Sequence, residues 1–149
     1  KIKNYEASTA IIMSILDKDP KNAHAWNFIG YSMLERGHSP DEALPYIEKA
    51  IAISPDDGYI RDSLGWYYFK TGRLNEALKE LTAAFEKVPD DVVIAKHLAL
   101  IHKDMKNFTK ARIYIQHALK NARLSSEKRE LTSVLELLEG ERFPAAVAD

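Results

Sequence analysis

Apolar residues recur along the chain at helical intervals, in pairs of short stretches separated by turn residues. In one such pair, Ile60, Leu64 and Tyr68 lie at positions i, i+4 and i+8 of a first stretch. The second stretch carries a stripe made of Leu74, Leu78, Leu81 and Phe85. Gly72 separates the two stretches and Pro89 follows the second, as expected where helices end. The pattern therefore predicts a pair of antiparallel helices.

The same helix pair occurs three times, with a period of 34 residues. Three triplets of residues share this spacing: Ala43, Ala77 and Ala111; Ala50, Ala84 and Ala118; and Ile47, Leu81 and Ile115. Gly30 and Gly65 hold equivalent places in the first helices of two copies. Since small residues recur where paired helices would cross, we expect the backbones of each pair to approach closely.

The period, the small residues and the proline positions resemble those of the tetratricopeptide repeat. The resemblance implies an all-α fold, a right-handed superhelical solenoid of antiparallel helix pairs with a C-terminal capping helix. Its segments would be the second helix of a partial repeat over 1–22, repeats over 23–57, 58–91 and 92–125, a capping helix over 126–140 and a tail over 141–149. The capping helix would bury Leu131, Val134, Leu135 and Leu138 and end at Gly140.

Two positions depart from the repeat pattern. Pro45 lies inside a predicted helix and has no amide to bond the carbonyl of Asp41, so we expect the turn there to bend or open. Arg123 occupies the place of Pro55 and Pro89, so the second helix of the third repeat is free to extend further.

Ser39 and the residues after it satisfy the rules for a capped helix start.

Charge and composition exclude several classes of partner and cofactor. The chain has 21 Lys and Arg against 22 Asp and Glu, a net charge of −1, and no Cys. Without a basic field we expect no nucleic-acid partner, and without Cys there are no disulfides or thiolate metal ligands. No apolar run reaches the roughly 18 residues of a membrane span, so we expect no membrane insertion.

The compartment stays open between cytoplasm and bacterial periplasm or envelope. The sequence starts at Lys1 without an apolar signal region, so we expect a processed or excised piece of a longer protein. The run Asp62-Ser63-Leu64-Gly65-Trp66 with the later Glu76-Ala77-Leu78 resembles bacterial repeat proteins, some of them envelope-associated.

The sequence predicts no catalytic residues, no metal site and no cofactor. None of the five His residues forms an i, i+4 pair, which is the spacing of helical metal sites. Lys70-Thr71-Gly72 matches a penicillin-binding enzyme element, but its partner elements are reversed or missing and the segment fits a repeat turn. We therefore expect a non-enzymatic protein.

The resemblance implies a concave groove, lined by the first helix of each repeat, that binds a peptide or helix of a protein partner. Carried over by position, the groove residues are His24, Asn27, Tyr31, Tyr59, Asp62, Trp66, Phe69, Lys70, Lys96, His97, Leu100 and Lys103. Trp66 and Phe69 are either exposed there or buried against the neighbouring repeat; both alternatives stay open. Lys96 and Lys103 would be available for an acidic group. Relatives that clamp a peptide carboxylate have Lys and Asn where Asn27 and Tyr31 stand, so we do not expect that clamp.

The two ends of the chain suggest self-association as an alternative function. The partial first repeat would leave an open end at Ile11, Ile12, Ile15 and Leu16, and the tail begins with the apolar Phe143 and Pro144. Either surface could join copies into a homo-oligomer. A further alternative is a regulatory segment of a larger enzyme whose catalytic domain lies elsewhere.

Overall fold

The computed structural model describes the backbone of residues 2–142 and the side chains of residues 7–140. The helices are α1 (Ile2–Lys18), α2 (Ala23–Glu35), α3 (Pro40–Ile53), α4 (Gly58–Lys70), α5 (Leu74–Lys87), α6 (Val92–Asp104), α7 (Phe108–Asn121) and α8 (Ser125–Arg142). Within the described backbone no residue lies in a β-strand. The predicted all-α fold of helix pairs is confirmed.

The helices belong to two compact units, Lys1–Ala84 and Phe85–Asp149. In the first unit α2 packs against α1, α3 and α4, and in the second unit α7 packs against α6 and α8. The pairs α2/α3, α4/α5 and α6/α7 fall inside the three predicted repeats, with the last turn of α5 belonging to the second unit.

Side-chain caps start four of the helices. Asp57 Oδ1 accepts hydrogen bonds from the amides of Tyr59 and Ile60 at 2.9 and 3.1 Å, and Asp91 Oδ1 caps α6 in the same way. Asn22 and Asn107 cap α2 and α7. Each of these side chains accepts hydrogen bonds from amides of the first helical turn, which have no partner within the helix. Ser39 also occupies a cap position, but its hydroxyl makes no capping hydrogen bond.

Glycine allows the paired helices of the first unit to approach closely. A Cβ atom on Gly30 would lie 2.6 Å from Ile47 Cγ1 and 3.1 Å from the carbonyl oxygen of Ala43. A Cβ on Gly65 would lie 2.7 Å from Leu81 Cγ. These separations are shorter than van der Waals contact, so the predicted packing role of both glycines is confirmed.

The three first helices end in the same turn. Its last amide donates to a carbonyl five residues earlier: His38 to Met33, Arg73 to Tyr68 and Asn107 to His102. This Schellman motif requires a left-handed residue, which is Gly37 and Gly72 in two repeats, with φ of 77° and 76°. In the third repeat it is Lys106, with φ of 61°.

Apolar clusters fill the interior of each unit. In the first unit one cluster is formed by Leu16, Ala25 and Ile29 and another by Ala23, Ala50 and Ile60. The second unit has a cluster of Ala95, Ala99, Ile115, Ala118, Ala122 and Leu131. Leu131 and Leu138 are buried, and Val134 and Leu135 pack against this cluster, so the predicted apolar face of α8 is confirmed.

Three local predictions about helix ends and breaks are wrong. Helix α3 continues through Pro45, so the turn does not open there, while the bend that we also expect at this proline stays a prediction. Helix α7 has 14 residues, like α3 and α5, and does not extend, because the amides of Arg123 and Leu124 donate to Glu127 Oε2 at the start of α8. Helix α8 continues through Gly140 to Arg142, since that glycine does not adopt the positive φ that ends a helix.

Candidate functional site

The face formed by α2 and α4 in the first unit carries the first eight predicted groove residues. Three of them, His24, Tyr59 and Lys70, are exposed; Asn27, Tyr31 and Phe69 are half-buried; and Asp62 and Trp66 are buried. The two helices lie against each other within the unit, so side chains from both contribute to one surface. Its rim is polar and aromatic, while its floor contains an indole ring.

Contacts with Glu35, Phe69 and Lys70 hold the Trp66 ring in that floor. Its Nε1 donates a hydrogen bond to Glu35 Oε1 at 2.8 Å, and only 6% of the residue is exposed. Its ring stacks on Phe69 with centroids 4.8 Å apart, and Lys70 Nζ lies 4.9 Å from the ring centroid. Of the two alternatives left open by the sequence, burial against the neighbouring repeat is therefore the one observed for Trp66. The indole holds Glu35, Phe69 and Lys70 in place rather than presenting its own surface.

Asn27 contributes an oxygen without a hydrogen bond. Its Oδ1 is buried and accepts no hydrogen bond from any described residue. Buried side-chain oxygens in native proteins nearly always accept a hydrogen bond, so this one calls for an explanation. Asn27 lies on α2 one turn after His24 and one turn before Tyr31, in the middle of the face.

Ion pairs and hydrogen bonds fix α4 behind this face. Arg61 pairs with Glu80 at 2.7 Å, which ties α4 to α5, and His24 Nε2 lies 3.4 Å from Asp57 Oδ2. The Tyr67 hydroxyl donates to Asp41 Oδ1 at 3.2 Å. Burial raises the pKa of Tyr67, and the hydrogen bond to Asp41 raises it further. Tyr67 therefore stays a neutral donor at ordinary pH.

Glu35 is a residue of this face that the sequence prediction missed. It lies four residues after Tyr31, so the helical spacing that marks Asn27 and Tyr31 extends to it. The sequence around Glu35 does not indicate that its carboxylate accepts a hydrogen bond from an indole. That role depends on Trp66, which is 31 residues away in sequence.

The four groove residues predicted for the second unit are mostly engaged. Lys96 Nζ pairs with Glu130 at 2.9 Å and Lys103 Nζ lies 3.5 Å from Asp104. His97 is 1% exposed and Leu100 is half-buried. Lys96 is thus already paired with Glu130 of α8, and its availability for an acidic group stays a prediction.

The predicted open end is only partly open. Leu16 is buried, and Ile12 and Ile15 pack against the cluster that contains it, because α2 covers this side of α1. Ile11 remains 61% exposed. Phe143 and Pro144 lie outside the described residues. Self-association through either surface stays a prediction.

The part of the chain that the structure describes offers neither a metal-binding cluster nor a membrane-spanning helix. Among the described residues, no three His, Asp or Glu side chains come together as a metal ion would need. None of the helices in that part of the chain combines the length and apolar character that crossing a membrane requires.

Two family models match the chain, and both are described as tetratricopeptide repeat. One matches residues 34–91 and the other residues 63–126, so together they span more than half of the chain. A solved structure, the MamA RS-1 ArsTM double mutant, superposes with a TM-score of 0.62 over 80% of this chain and 67% of that one. At 18% sequence identity this similarity shows the fold alone.

Two proteins resemble the chain in sequence. TPR repeat-containing protein PA4667 of Pseudomonas aeruginosa is 37% identical over 81 residues, which make up 54% of this chain and 14% of that protein. The antiviral innate immune response effector IFIT1 of Homo sapiens is 25% identical over 125 residues, 78% of this chain and 26% of that protein. The chain thus spans a small part of either relative. Taken with the helix pairs, their small-residue contacts and their shared turns, these matches show that the chain belongs to the tetratricopeptide repeat family.

Proposed function

We propose that the chain binds a segment of a partner protein on the face formed by α2 and α4. Tetratricopeptide repeats generally mediate protein–protein interaction, and proteins of this family are generally non-enzymatic scaffolds. The same role for this chain would explain why polar and aromatic side chains of this face remain exposed or half-buried.

The unpaired oxygen of Asn27 is the observation on which the proposal rests. A buried acceptor without a donor costs about 1–3 kcal/mol. Because this oxygen has no exposed surface in the unbound chain, the Asn27 side chain would rotate outward to pair with a bound donor, which would recover that cost. The backbone N–H groups of an extended peptide are donors of this kind, and they are present whatever the peptide sequence. Asn27 would therefore bind the main chain of the partner.

Aromatic side chains around Asn27 would provide the apolar contacts. Tyr31 follows on α2, and Tyr59 and Phe69 flank the face on α4. Tyr59 is 48% exposed, so it can bury surface only when a partner covers it. Tyrosine is enriched among the residues that dominate binding energy in interfaces. Lys70 and Glu35 at the end of the face add one charge of each sign.

The test uses a peptide selected from a displayed library with the purified chain. We expect Tyr59→Ala and Asn27→Leu each to weaken its binding about tenfold, equivalent to about 1.4 kcal/mol. Asn27→Leu should also raise the free energy of unfolding of the unbound chain, since it removes a buried unpaired oxygen. A purely structural role for Asn27 would not combine weaker binding with greater stability.

The matched control is Leu137→Ala, which removes a side chain that is 62% exposed on α8. It should leave the affinity unchanged. Equal affinity of wild type, Tyr59→Ala and Asn27→Leu, with all three chains folded by circular dichroism, would refute the assignment of the binding face.

A further inference from the structure

We propose that the outward face of α7 is a second binding site, which accepts an acidic segment of a partner protein that presents one bulky apolar side chain. The site belongs to the second compact unit and shares no residue with the face formed by α2 and α4. Either site can therefore be disproved without affecting the other.

An apolar cavity of about 360 Å³ opens on this face. It is lined by Phe85, Pro89, Lys110, Ile113, Tyr114 and His117. Ile113 at its edge is 58% exposed, so it offers apolar surface that a ligand would bury. The volume lies at the lower end of the range for ligand pockets, which leaves room for one large side chain together with part of its flanking backbone.

The walls of this cavity are fixed before any ligand arrives. Phe85 makes edge-to-face contacts with Tyr114 and with His117, with ring centroids 5.4 and 5.2 Å apart. His117 Nε2 lies 2.7 Å from the carbonyl oxygen of Pro89, so this nitrogen carries the proton and donates it. A cavity with fixed walls loses little entropy when it is filled, which favours binding.

Helix α7 is also the most basic of the three second helices of the repeats. It contains Lys110, Arg112 and Lys120 and no acidic residue, although the whole chain has a net charge of −1. Helices α3 and α5 each contain three acidic residues. Neither Lys110 nor Lys120 forms an ion pair with a described residue, so both remain available to neutralise a ligand.

Lys110 occupies a position that favours the opposite charge. It is the third residue of α7, and the corresponding residues of α3 and α5 are Glu42 and Glu76. The positive end of the helix dipole favours acids there and disfavours cations. Helix stability therefore does not explain the lysine, whereas its place at the edge of the cavity gives it a function in binding.

Helix α3 provides an internal comparison. A depression of about 450 Å³ lies beside the four corresponding residues of this helix, Glu42, Pro45, Tyr46 and Lys49, and is completed by Met33 and His38. Glu42 stands there in place of Lys110, and Pro45 in place of Ile113. An acidic ligand should therefore distinguish the α7 cavity from its counterpart by charge.

The spacing of the cations defines the ligand. Lys110 and Lys120 are ten residues apart on α7, about 15 Å along the axis. An extended peptide covers that length in about five residues. The segment that fits best therefore has acidic residues on both sides of its apolar anchor. Phosphates could also pair with the lysines, but rings packed edge to face offer little stacking surface to bases, so a peptide is favoured over RNA.

The probe is a fluorescein-labelled heptapeptide in which one phenylalanine is flanked on each side by three acidic residues, measured by fluorescence anisotropy. Wild type should bind it with salt-dependent affinity, and about tenfold more tightly than a peptide with glycine in place of phenylalanine. Lys110→Glu should weaken binding about tenfold while raising the melting temperature. Ile113→Ser should weaken binding to a similar extent.

The charge-matched control is Lys79→Glu on the exposed side of α5, which should leave binding unchanged. Three outcomes would overturn the proposal: no binding by wild type at about 1 mM probe, equal binding of the phenylalanine and glycine peptides, or equal binding by wild type and Lys110→Glu. Tighter binding of an eight-nucleotide oligouridine than of the peptide would replace the peptide with RNA as the ligand.

Discussion

Lys106 adopts the left-handed conformation that the turn requires, although its side chain disfavours that conformation. The turn after each first helix needs a left-handed residue, and the third repeat uses a lysine where the other two use glycine. The hydrogen bond from Asn107 to the carbonyl of His102, at 2.8 Å, closes the turn as in the other repeats. A left-handed conformation costs a non-glycine residue about 1–2 kcal/mol, so the turn is maintained against that cost.

We therefore expect Lys106→Gly to stabilise the protein. The gain should be about 0.5–1 kcal/mol, because glycine relieves the left-handed strain but loses more backbone entropy on folding. Thermal unfolding followed by circular dichroism would measure it as a rise in melting temperature of about 2 °C.

Gly72→Ala is the matched reverse experiment, since it places a Cβ on a left-handed residue with no atom nearby to clash. It should destabilise the chain. A lower melting temperature for Lys106→Gly than for wild type would contradict the strain at Lys106.

The helix pair is the element that the sequence predicts best. Its small residues and its period follow from the sequence because close packing has to recur at every repeat, and the contacts of Gly30 confirm this. Helix ends are harder to predict, because they depend on which nearby groups pair with the terminal amides and carbonyls. After α7 the amides of Arg123 and Leu124 donate to Glu127, and Gly140 lies within α8 and does not end it. For the proposed site, the repeat spacing predicts positions on α2 and α4, and these stay a prediction. The hydrogen bond from Trp66 to Glu35 could not be predicted, because it joins residues 31 apart in sequence.

Close packing of the helix pair predicts that Gly30→Ala destabilises the protein. The added methyl group would meet Ile47 and the backbone of Ala43, so α2 and α3 would have to separate. Overpacking of this kind costs about 1–3 kcal/mol, more than the helix propensity gained from alanine. Urea unfolding curves would show a lower midpoint.

Gly140→Ala is the control for helix propensity, because a Cβ at Gly140 meets no atom within 4 Å. It should be neutral or stabilising by up to about 1 kcal/mol. If both alanine variants shift the midpoint in the same direction, packing does not explain the glycine at position 30.

At the scale of the whole molecule, the repeats share a plan but differ in chemistry. The second unit buries His97 and His102 at positions where the first unit has other residues. The His102 ring stacks parallel to Tyr114 with centroids 5.5 Å apart. Burial lowers the pKa of His102, and the cation of Lys110 lowers it further. His102 is therefore neutral in the folded protein at neutral pH.

The stability of the folded chain should consequently fall in mild acid. The unfolded chain protonates this histidine near pH 6.5, whereas the folded chain does so only at lower pH. The contribution is complete above about pH 6.5 and is lost as the pH falls toward the folded-state pKa. His102→Gln should reduce the loss of stability between about pH 7.5 and 5.

The pH series is measured by urea unfolding, with His38→Gln as the control because His38 is exposed in a turn. The control should keep the wild-type dependence on pH. An unchanged dependence in His102→Gln would mean that acid destabilises the protein through other groups.

Tryptophan fluorescence would report on only one of the two compact units. The chain has two tryptophans, Trp26 and Trp66, and both lie in the first compact unit. Each has its Nε1 bonded, to the carbonyl of Pro20 at 2.9 Å and to Glu35 at 2.8 Å, so each emission spectrum responds when its own helix loosens. Tryptophan fluorescence therefore reports on residues up to Ala84, while far-ultraviolet circular dichroism reports on every helix. Comparing the two signals during unfolding will show whether the chain melts as one cooperative unit or in two steps.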